Sequence, residues 1–152
     1  MKPWERRAFN LCALLVAVTG FAYLWMKYFV QSDDPFAVIN HPWQPAMLTL
    51  HILASPPFLL IFGIVFNSHV MKKLKAPKLP NRKSGYASLF TFACMVVSGY
   101  LLQIVTDEGL LKGTVILHVA SGAIFSVTYA VHLVISATLA RGPVRAQVRE
   151  VA

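Results

Sequence analysis

Four histidines lie inside apolar segments of the chain, and their spacing could hold a metal-containing cofactor. They are His51 and His69 in one segment and His118 and His132 in another. At about 100° per residue, the 18-residue step from His51 to His69 returns to the starting angle of a helix, and the 14-residue step from His118 to His132 misses it by about 40°. Each pair is therefore predicted to share one face. Because neutral imidazole binds iron, two such helices could clamp two haems.

The elements that must position these histidines are long and apolar. The chain has 152 residues, which suits one domain, and its 57% apolar content exceeds the soluble average of about 45–50%. Crossing the hydrocarbon of a membrane takes about 20 residues. The first apolar run is longer than the ~7–15 residues of a signal-peptide core, so it is expected to be retained. The sequence predicts an all-α, integral membrane, four-helix up-down bundle with helices at about 8–30, 47–70, 86–106 and 113–140.

Charged residues predict the orientation of these helices. Basic residues in short loops stay on the cytoplasmic side, and here they fill the loop at 71–85 and both ends of the chain. They are Lys72, Lys73, Lys75, Lys78, Arg82 and Lys83 in the loop, and Lys2, Arg6, Arg7, Arg141, Arg145 and Arg149 at the ends. We expect a protein of the bacterial inner membrane with both termini in the cytoplasm. The net charge of +8 then lies at lipid headgroups, which argues against nucleic-acid binding.

The depth of each histidine follows from the topology. Because helices joined in series alternate in direction, the second and fourth both run from outside to inside. We name His51 and His118 the outer histidines and His69 and His132 the inner histidines, and we expect each set to pair. A rise of 1.5 Å per residue separates the sets by ~27 Å on the second helix and ~21 Å on the fourth. Two consecutive prolines between His51 and His69 could absorb the difference through a kink.

Aromatic and small residues follow the same faces as the histidines. The aromatic residues are expected to fill the space between two stacked macrocycles, and the small residues to make room for the outer one. Ordinary packing of membrane helices uses the same residue types. The aromatic set is Phe58, Phe62, Phe125 and Tyr129, and the small set is Gly20, Gly99 and Gly122. No repeat is evident at the level of single residues, although each half joins a histidine-free helix to a two-histidine helix.

Other chemistry is poorly supported. Two separate zinc or copper sites would need ligands beyond the histidines, and the helices do not offer them. Cys12 and Cys94 stand without a Cys-x-x-Cys-His motif, which excludes c-type haem, and both are expected to pack as small apolar residues. His69, close to a helix end, could be interfacial instead of a ligand. The groups that could exchange protons with a quinone at the outer side are His41, Asp107 and Glu108, although a solvated loop position is the favoured interpretation of each.

The histidine plan resembles a known family. Two histidines on each of the second and fourth helices, with thirteen residues between His118 and His132, resemble the haem-bearing bundle of the cytochrome b subunits of quinol-oxidising respiratory and photosynthetic complexes. Small dihaem b-type membrane anchors of bacterial redox enzymes are similar. The resemblance covers roughly 8–140 and implies two b haems with the four histidines as axial ligands. The His51 to His69 interval is longer than usual in that family. The sequence also lacks the Pro-Glu-Trp-Tyr motif of the family's quinone site, so the resemblance does not imply such a site here.

The resemblance implies an electron-transferring subunit of an oxidoreductase complex rather than a stand-alone enzyme. Electrons would pass between a quinone pool and a redox partner, such as a periplasmic cytochrome or an iron–sulfur protein. Two alternatives stay open. One is a non-redox membrane anchor or assembly subunit with structural histidines, and the other is a proton or metal-ion transporter that uses the same histidines. Visible absorption by the purified protein separates the cytochrome from both.

Overall fold

The structure is a computed structural model that describes residues 1–75 and 82–141, and every regular element in those ranges is helical. The helices are α1 Pro3–Tyr28, α2 Gln44–Val65, α3 Met71–Lys75, α4 Arg82–Leu101 and α5 Glu108–Arg141, with a π-helical turn Phe66–Val70 between α2 and α3. Four stretches in the described ranges are long and apolar enough to cross a membrane: Pro3–Tyr28, Gln44–Lys73, Lys83–Leu101 and Glu108–Thr138. The prediction of four apolar helices is confirmed. Part of the predicted basic loop, Lys78 included, lies outside the described residues, as do Arg145 and Arg149.

The chain divides into two compact units, Met1–Lys78 and Leu79–Ala152. The first contains hairpin one, in which α1 packs on α2 and its extension, and the second contains hairpin two, in which α4 packs on α5. In hairpin one, Thr19 contacts His51 and Glu5 contacts Ser68. Residues earlier in α1 therefore contact residues later in the second apolar helix. The two helices therefore run antiparallel. The up-down bundle of four helices and the single domain stay predictions.

Polar caps extend the helices beyond the apolar runs. At the start of α1, the Lys2 backbone N–H donates to Glu5 Oε2 at 2.7 Å, as in a capping box. At the start of α5, the Leu110 N–H donates to Asp107 Oδ1 at 2.8 Å. These helices consequently begin earlier than the predicted runs at 8–30 and 113–140, because hydropathy does not register a cap.

The second apolar helix is not regular along its whole length. α2 continues through Pro56 and Pro57, which lack backbone donors, and then passes into the π-helical turn Phe66–Val70 that contains His69. A π-helical turn pairs residues i and i+5, so it holds more residues than an α turn. The rule of 100° per residue therefore fails over the last steps before His69. The predicted shared face of His51 and His69 assumed a regular helix, and it stays a prediction.

Each hairpin has a small core of aromatic rings. In hairpin one, Phe58 is 3% exposed and its ring centroid lies 5.1 Å from that of Phe9. In hairpin two, Phe92 is also 3% exposed and lies 5.5 Å from Phe125. Across the described residues, every buried side-chain nitrogen or oxygen atom has a hydrogen-bond partner. This satisfaction is what hydrocarbon surroundings require.

Candidate functional site

His51 lies on α2 beside Thr19 and Gly20 of α1. Its Nδ1 is 3.0 Å from the Val16 carbonyl oxygen and 3.3 Å from Thr19 Oγ1. The Thr19 hydroxyl donates to the Leu15 carbonyl at 2.8 Å. Because a carbonyl can only accept, and the hydroxyl proton is already directed at a carbonyl, Nδ1 must carry the hydrogen. His51 therefore donates through Nδ1, and its lone pair is on Nε2.

His118 lies on α5 in a matching arrangement with α4. Its Nδ1 is 3.1 Å from the Met95 carbonyl oxygen and 3.1 Å from Ser98 Oγ. The Ser98 side chain is fully buried, and its hydroxyl donates to the Cys94 carbonyl at 2.7 Å. The same reasoning places the hydrogen on Nδ1 of His118 and the lone pair on Nε2.

A glycine lets each ring approach the neighbouring helix. A Cβ atom on Gly20 would lie 2.8 Å from Cε1 of His51, and one on Gly99 would lie 3.2 Å from Cε1 of His118. Ordinary contacts of a Cβ atom are 3.4–4 Å, and real Cβ atoms essentially never come within 3.0 Å of such neighbours. The outer histidines therefore need a residue without a side chain at position 20 and strongly favour one at position 99.

His132 repeats the hydroxyl and the glycine at the other end of hairpin two. Its Nδ1 is 3.2 Å from Ser84 Oγ, and a Cβ on Gly85 would lie 3.7 Å from its Cε1. The backbone carbonyl that would correspond to Val16 belongs to residue 81, outside the described residues. Three histidines thus lie against a hydroxyl residue followed by glycine. We name these dipeptides the hydroxyl–glycine pairs: Thr19-Gly20, Ser98-Gly99 and Ser84-Gly85.

His69 has different surroundings. It lies in the π-helical turn, and the residue before it, Ser68, donates its hydroxyl to Glu5 Oε2 at 2.8 Å. The Glu5 side chain is only 4% exposed and also accepts the Lys2 N–H at 2.7 Å. α1 contains a single hydroxyl–glycine pair, and His51 lies against it. The end of hairpin one where His69 lies therefore contains the Glu5 carboxylate, hydrogen-bonded to Ser68.

The predicted aromatic residues form short stacks inside their own hairpins. The ring centroids of Phe58 and Phe62 lie 5.1 and 6.4 Å from that of Phe9. Phe125 and Tyr129 stack at 5.6 Å with an angle of 6° between their planes. Phe58 and Phe62 thus face α1, and Phe125 faces α4 through Phe92 at 5.5 Å, whereas Tyr129 stacks on a ring of its own helix. The role of the four rings between two macrocycles stays a prediction.

Gly122 lies against α4 and not against an imidazole. A Cβ on Gly122 would lie 3.7 Å from Met95 Sδ, so Gly122 faces the turn of α4 whose carbonyl accepts from His118. Cys12 and Cys94 are free thiols on helices of different hairpins.

The predicted proton-exchanging groups have local structural roles. Nδ1 of His41 accepts the Trp43 N–H at 3.1 Å, so this ring has the opposite tautomer to His51 when neutral. Asp107 caps α5, and Glu108 is exposed in its first turn. A cofactor ligand that presents Nε2 as a lone pair is therefore not expected at His41.

Sequence reasoning missed Thr19 and the Ser84-Gly85 pair. The signal was present, because the histidine-free helices α1 and α4 contain three Ser/Thr-Gly dipeptides and each lies against an imidazole. The two halves also correspond at the level of residues, since Thr19 with His51 matches Ser98 with His118. This correspondence is one of contacts and not of sequence spacing, because Thr19 and His51 are 32 residues apart and Ser98 and His118 are 20 apart.

No family model, curated protein or solved structure matches the chain. Among the described residues of either hairpin, no three His, Cys, Asp or Glu side chains come together to hold a metal ion.

Proposed function

We propose that the protein is a membrane-bound cytochrome b with two haems, each held between two histidines, that relays electrons across the bilayer as a subunit of a redox complex. The observation that carries this proposal is the presentation of His51 and His118, which donate Nδ1–H to backbone carbonyls and keep the lone pair on Nε2. Bound haem b supplies a one-electron Fe(III)/Fe(II) couple.

The chemistry of the donor set fits a haem. A histidine that binds a metal almost always donates its other ring N–H to a carbonyl or carboxylate, which fixes the tautomer and the ring orientation. Both outer histidines do so, at 3.0 and 3.1 Å. Ionisable side chains inside membrane helices are costly and usually mark function.

The residues have separate roles in this proposal. The outer histidines, His51 and His118, would hold one haem, and the inner histidines, His69 and His132, would hold the other. Four histidines would supply two imidazole ligands to each of two haems, and this ligand set would favour electron relay over oxygen binding. The exchange partners are a quinone pool and a redox subunit such as a periplasmic cytochrome or an iron–sulfur protein. The helices form an up-down bundle in the bacterial inner membrane, with both termini in the cytoplasm.

The test is the haem content of the purified protein, measured as the pyridine haemochrome. We expect two b haems per chain, and about one in His118→Ala and in His132→Ala. His41→Ala is the matched control and should keep both, because its Nδ1 accepts the Trp43 N–H. A wild-type protein without haem would reject the proposal and favour a structural or transport role. One haem that survives His69→Ala unchanged would reject the inner site alone.

A further inference from the structure

We propose that Thr19 and Ser98 are positioning residues that lower the reduction potential of the haem held by the outer histidines. This inference rests on the proposed function and adds to it a means by which the two haems acquire different potentials. It assigns a purpose to two buried hydroxyls that the ligand set itself does not include. Thr19 is 4% exposed and Ser98 is 0% exposed.

Both hydroxyls are set to accept from an imidazole. Thr19 donates to the Leu15 carbonyl at 2.8 Å, and Ser98 donates to the Cys94 carbonyl at 2.7 Å. With its one proton directed at its own helix, each oxygen presents a lone pair to an Nδ1–H. A hydroxyl that donates is also a better acceptor, because hydrogen bonds in a chain polarise one another.

Each outer Nδ1–H is therefore shared by two acceptors. His51 has the Val16 carbonyl at 3.0 Å and Thr19 Oγ1 at 3.3 Å, and His118 has the Met95 carbonyl and Ser98 Oγ, both at 3.1 Å. Hydrogen bonds from a metal-bound imidazole raise its basicity as a ligand. A more basic ligand stabilises the more highly charged ferric ion over the ferrous ion. The hydroxyls thus shift the equilibrium toward the ferric state, which lowers the potential.

The inner histidines have other neighbours. Ser84 Oγ lies 3.2 Å from Nδ1 of His132, and the Ser68 hydroxyl next to His69 donates to Glu5 Oε2 at 2.8 Å. Thr19 and Ser98 would therefore act on the outer haem alone, which gives the two haems a means to differ in potential.

The experiment is a potentiometric titration of the purified haem protein, in which two components are resolved. Thr19→Val and Ser98→Ala should each raise one midpoint potential. The expected change in the ferric-to-ferrous equilibrium is about threefold, or roughly 30 mV at 59 mV per decade for one electron. Both variants should move the same component, the one that His51→Ala abolishes. Thr19→Ser keeps the hydroxyl and should restore the wild-type value, whereas Ser84→Ala should move the other component.

Matched controls use hydroxyls that make the same backbone bond elsewhere. Thr114 donates to the Leu110 carbonyl at 2.7 Å, and Ser126 donates to the Gly122 carbonyl at 2.8 Å. Thr114→Val and Ser126→Ala should leave both potentials unchanged. If Thr19→Val loses haem, the midpoint potentials of Thr19→Ser and Ser98→Ala decide whether the hydroxyls lower the potential.

Three results would overturn the inference. The first is an unchanged potential in Ser98→Ala or in haem-replete Thr19→Val, and the second is a shift of different components by these two variants. The third is a wild-type protein without haem, which overturns the proposed function as well. An unchanged potential with full haem content rejects only the positioning role, so the two failures are distinguishable.

Discussion

Replacing Gly20 with alanine tests whether the His51 imidazole must lie against bare backbone. The new Cβ would lie 2.8 Å from Cε1 and 3.1 Å from Nδ1 of His51. Ordinary contact begins at 3.4 Å, so the ring must withdraw by about 0.6 Å, the difference between 2.8 and 3.4 Å. An imidazole at the end of its side chain can move this far, but only by leaving its hydrogen-bond acceptors.

The cost of that movement can be worked from the distances. Nδ1 lies 3.0 Å from the Val16 carbonyl oxygen and 3.3 Å from Thr19 Oγ1. A withdrawal of the ring lengthens both to about 3.6 Å or more, where neither counts as a hydrogen bond. Each bond contributes about 0.5–1.5 kcal/mol net, so their loss costs about 1–3 kcal/mol. The imidazole must regain its original position to hold haem, so binding would have to supply this free energy. At about 1.4 kcal/mol per decade, haem affinity should then fall roughly 5- to 150-fold.

The three hydroxyl–glycine pairs supply a graded series. Gly99→Ala requires a withdrawal of about 0.2 Å, from 3.2 to 3.4 Å, and Gly85→Ala requires none because its contact is already 3.7 Å. Titration of haem into the apoprotein should therefore show the largest loss of haem affinity in Gly20→Ala, a smaller loss in Gly99→Ala and the smallest in Gly85→Ala. Gly63→Ala is the control for helix propensity, since nothing lies within 4 Å of its Cβ position. Equal losses in the series, or a larger loss at Gly85, would refute the reasoning.

Two further sets of substitutions test the hairpins themselves. Phe58→Ala should lower the free energy of unfolding by about 3–5 kcal/mol, because the ring is 3% exposed against Phe9. The Phe90 ring is 71% exposed, so Phe90→Ala should change the free energy of unfolding by less than about 0.5 kcal/mol. Equal effects of the two substitutions on thermal unfolding would contradict this difference in burial. Glu5→Ala removes the cap and the Ser68 acceptor and should lower the free energy of unfolding. Strictly additive losses with Ser68→Ala would contradict the bond between them.

Hydropathy predicted the four long helices but not their ends or their irregular turn. α1 begins at Pro3 because Glu5 caps it, and a capping carboxylate lowers the hydropathy of the segment it extends. The π-helical turn Phe66–Val70 contains the polar residues Asn67, Ser68 and His69, which follow the apolar residues of α2. Hydropathy reports where an apolar run ends but not whether the next turn is α- or π-helical. The π-helical turn at His69 could therefore not be predicted from the sequence pattern.

The candidate site could be predicted in part. The sequence identified Gly20 and Gly99 as small residues near the outer histidines, and the structure places each against an imidazole of its own hairpin. Their neighbours Thr19 and Ser98 lie on the same turns and contact the same rings. Which residue of α1 meets His51 depends on the register of two antiparallel helices. That register is set by packing along the whole hairpin and is not encoded in any one residue.

The helix itself explains why hydroxyl and glycine occur together. In α1 the Val16 carbonyl accepts the N–H of Gly20, four residues later, and a helical side chain covers the turn that precedes it. Glycine therefore leaves that carbonyl uncovered, so its second lone pair can accept from His51 at 3.0 Å. The hydroxyl one residue earlier reaches the same nitrogen from the side. The glycine thus provides both the space for the imidazole and access to the carbonyl oxygen that accepts its hydrogen bond.

The dipeptide alone does not make a site, as α5 shows. Ser121-Gly122 has the same sequence, and the Ser121 hydroxyl contacts the His118 carbonyl at 3.2 Å. The space over Gly122 is occupied by Met95 Sδ at 3.7 Å from its Cβ position and not by an imidazole. A hydroxyl–glycine pair therefore has meaning only where the facing helix places a histidine at the same depth. Among the described residues, His51, His118 and His132 meet this condition at Gly20, Gly99 and Gly85.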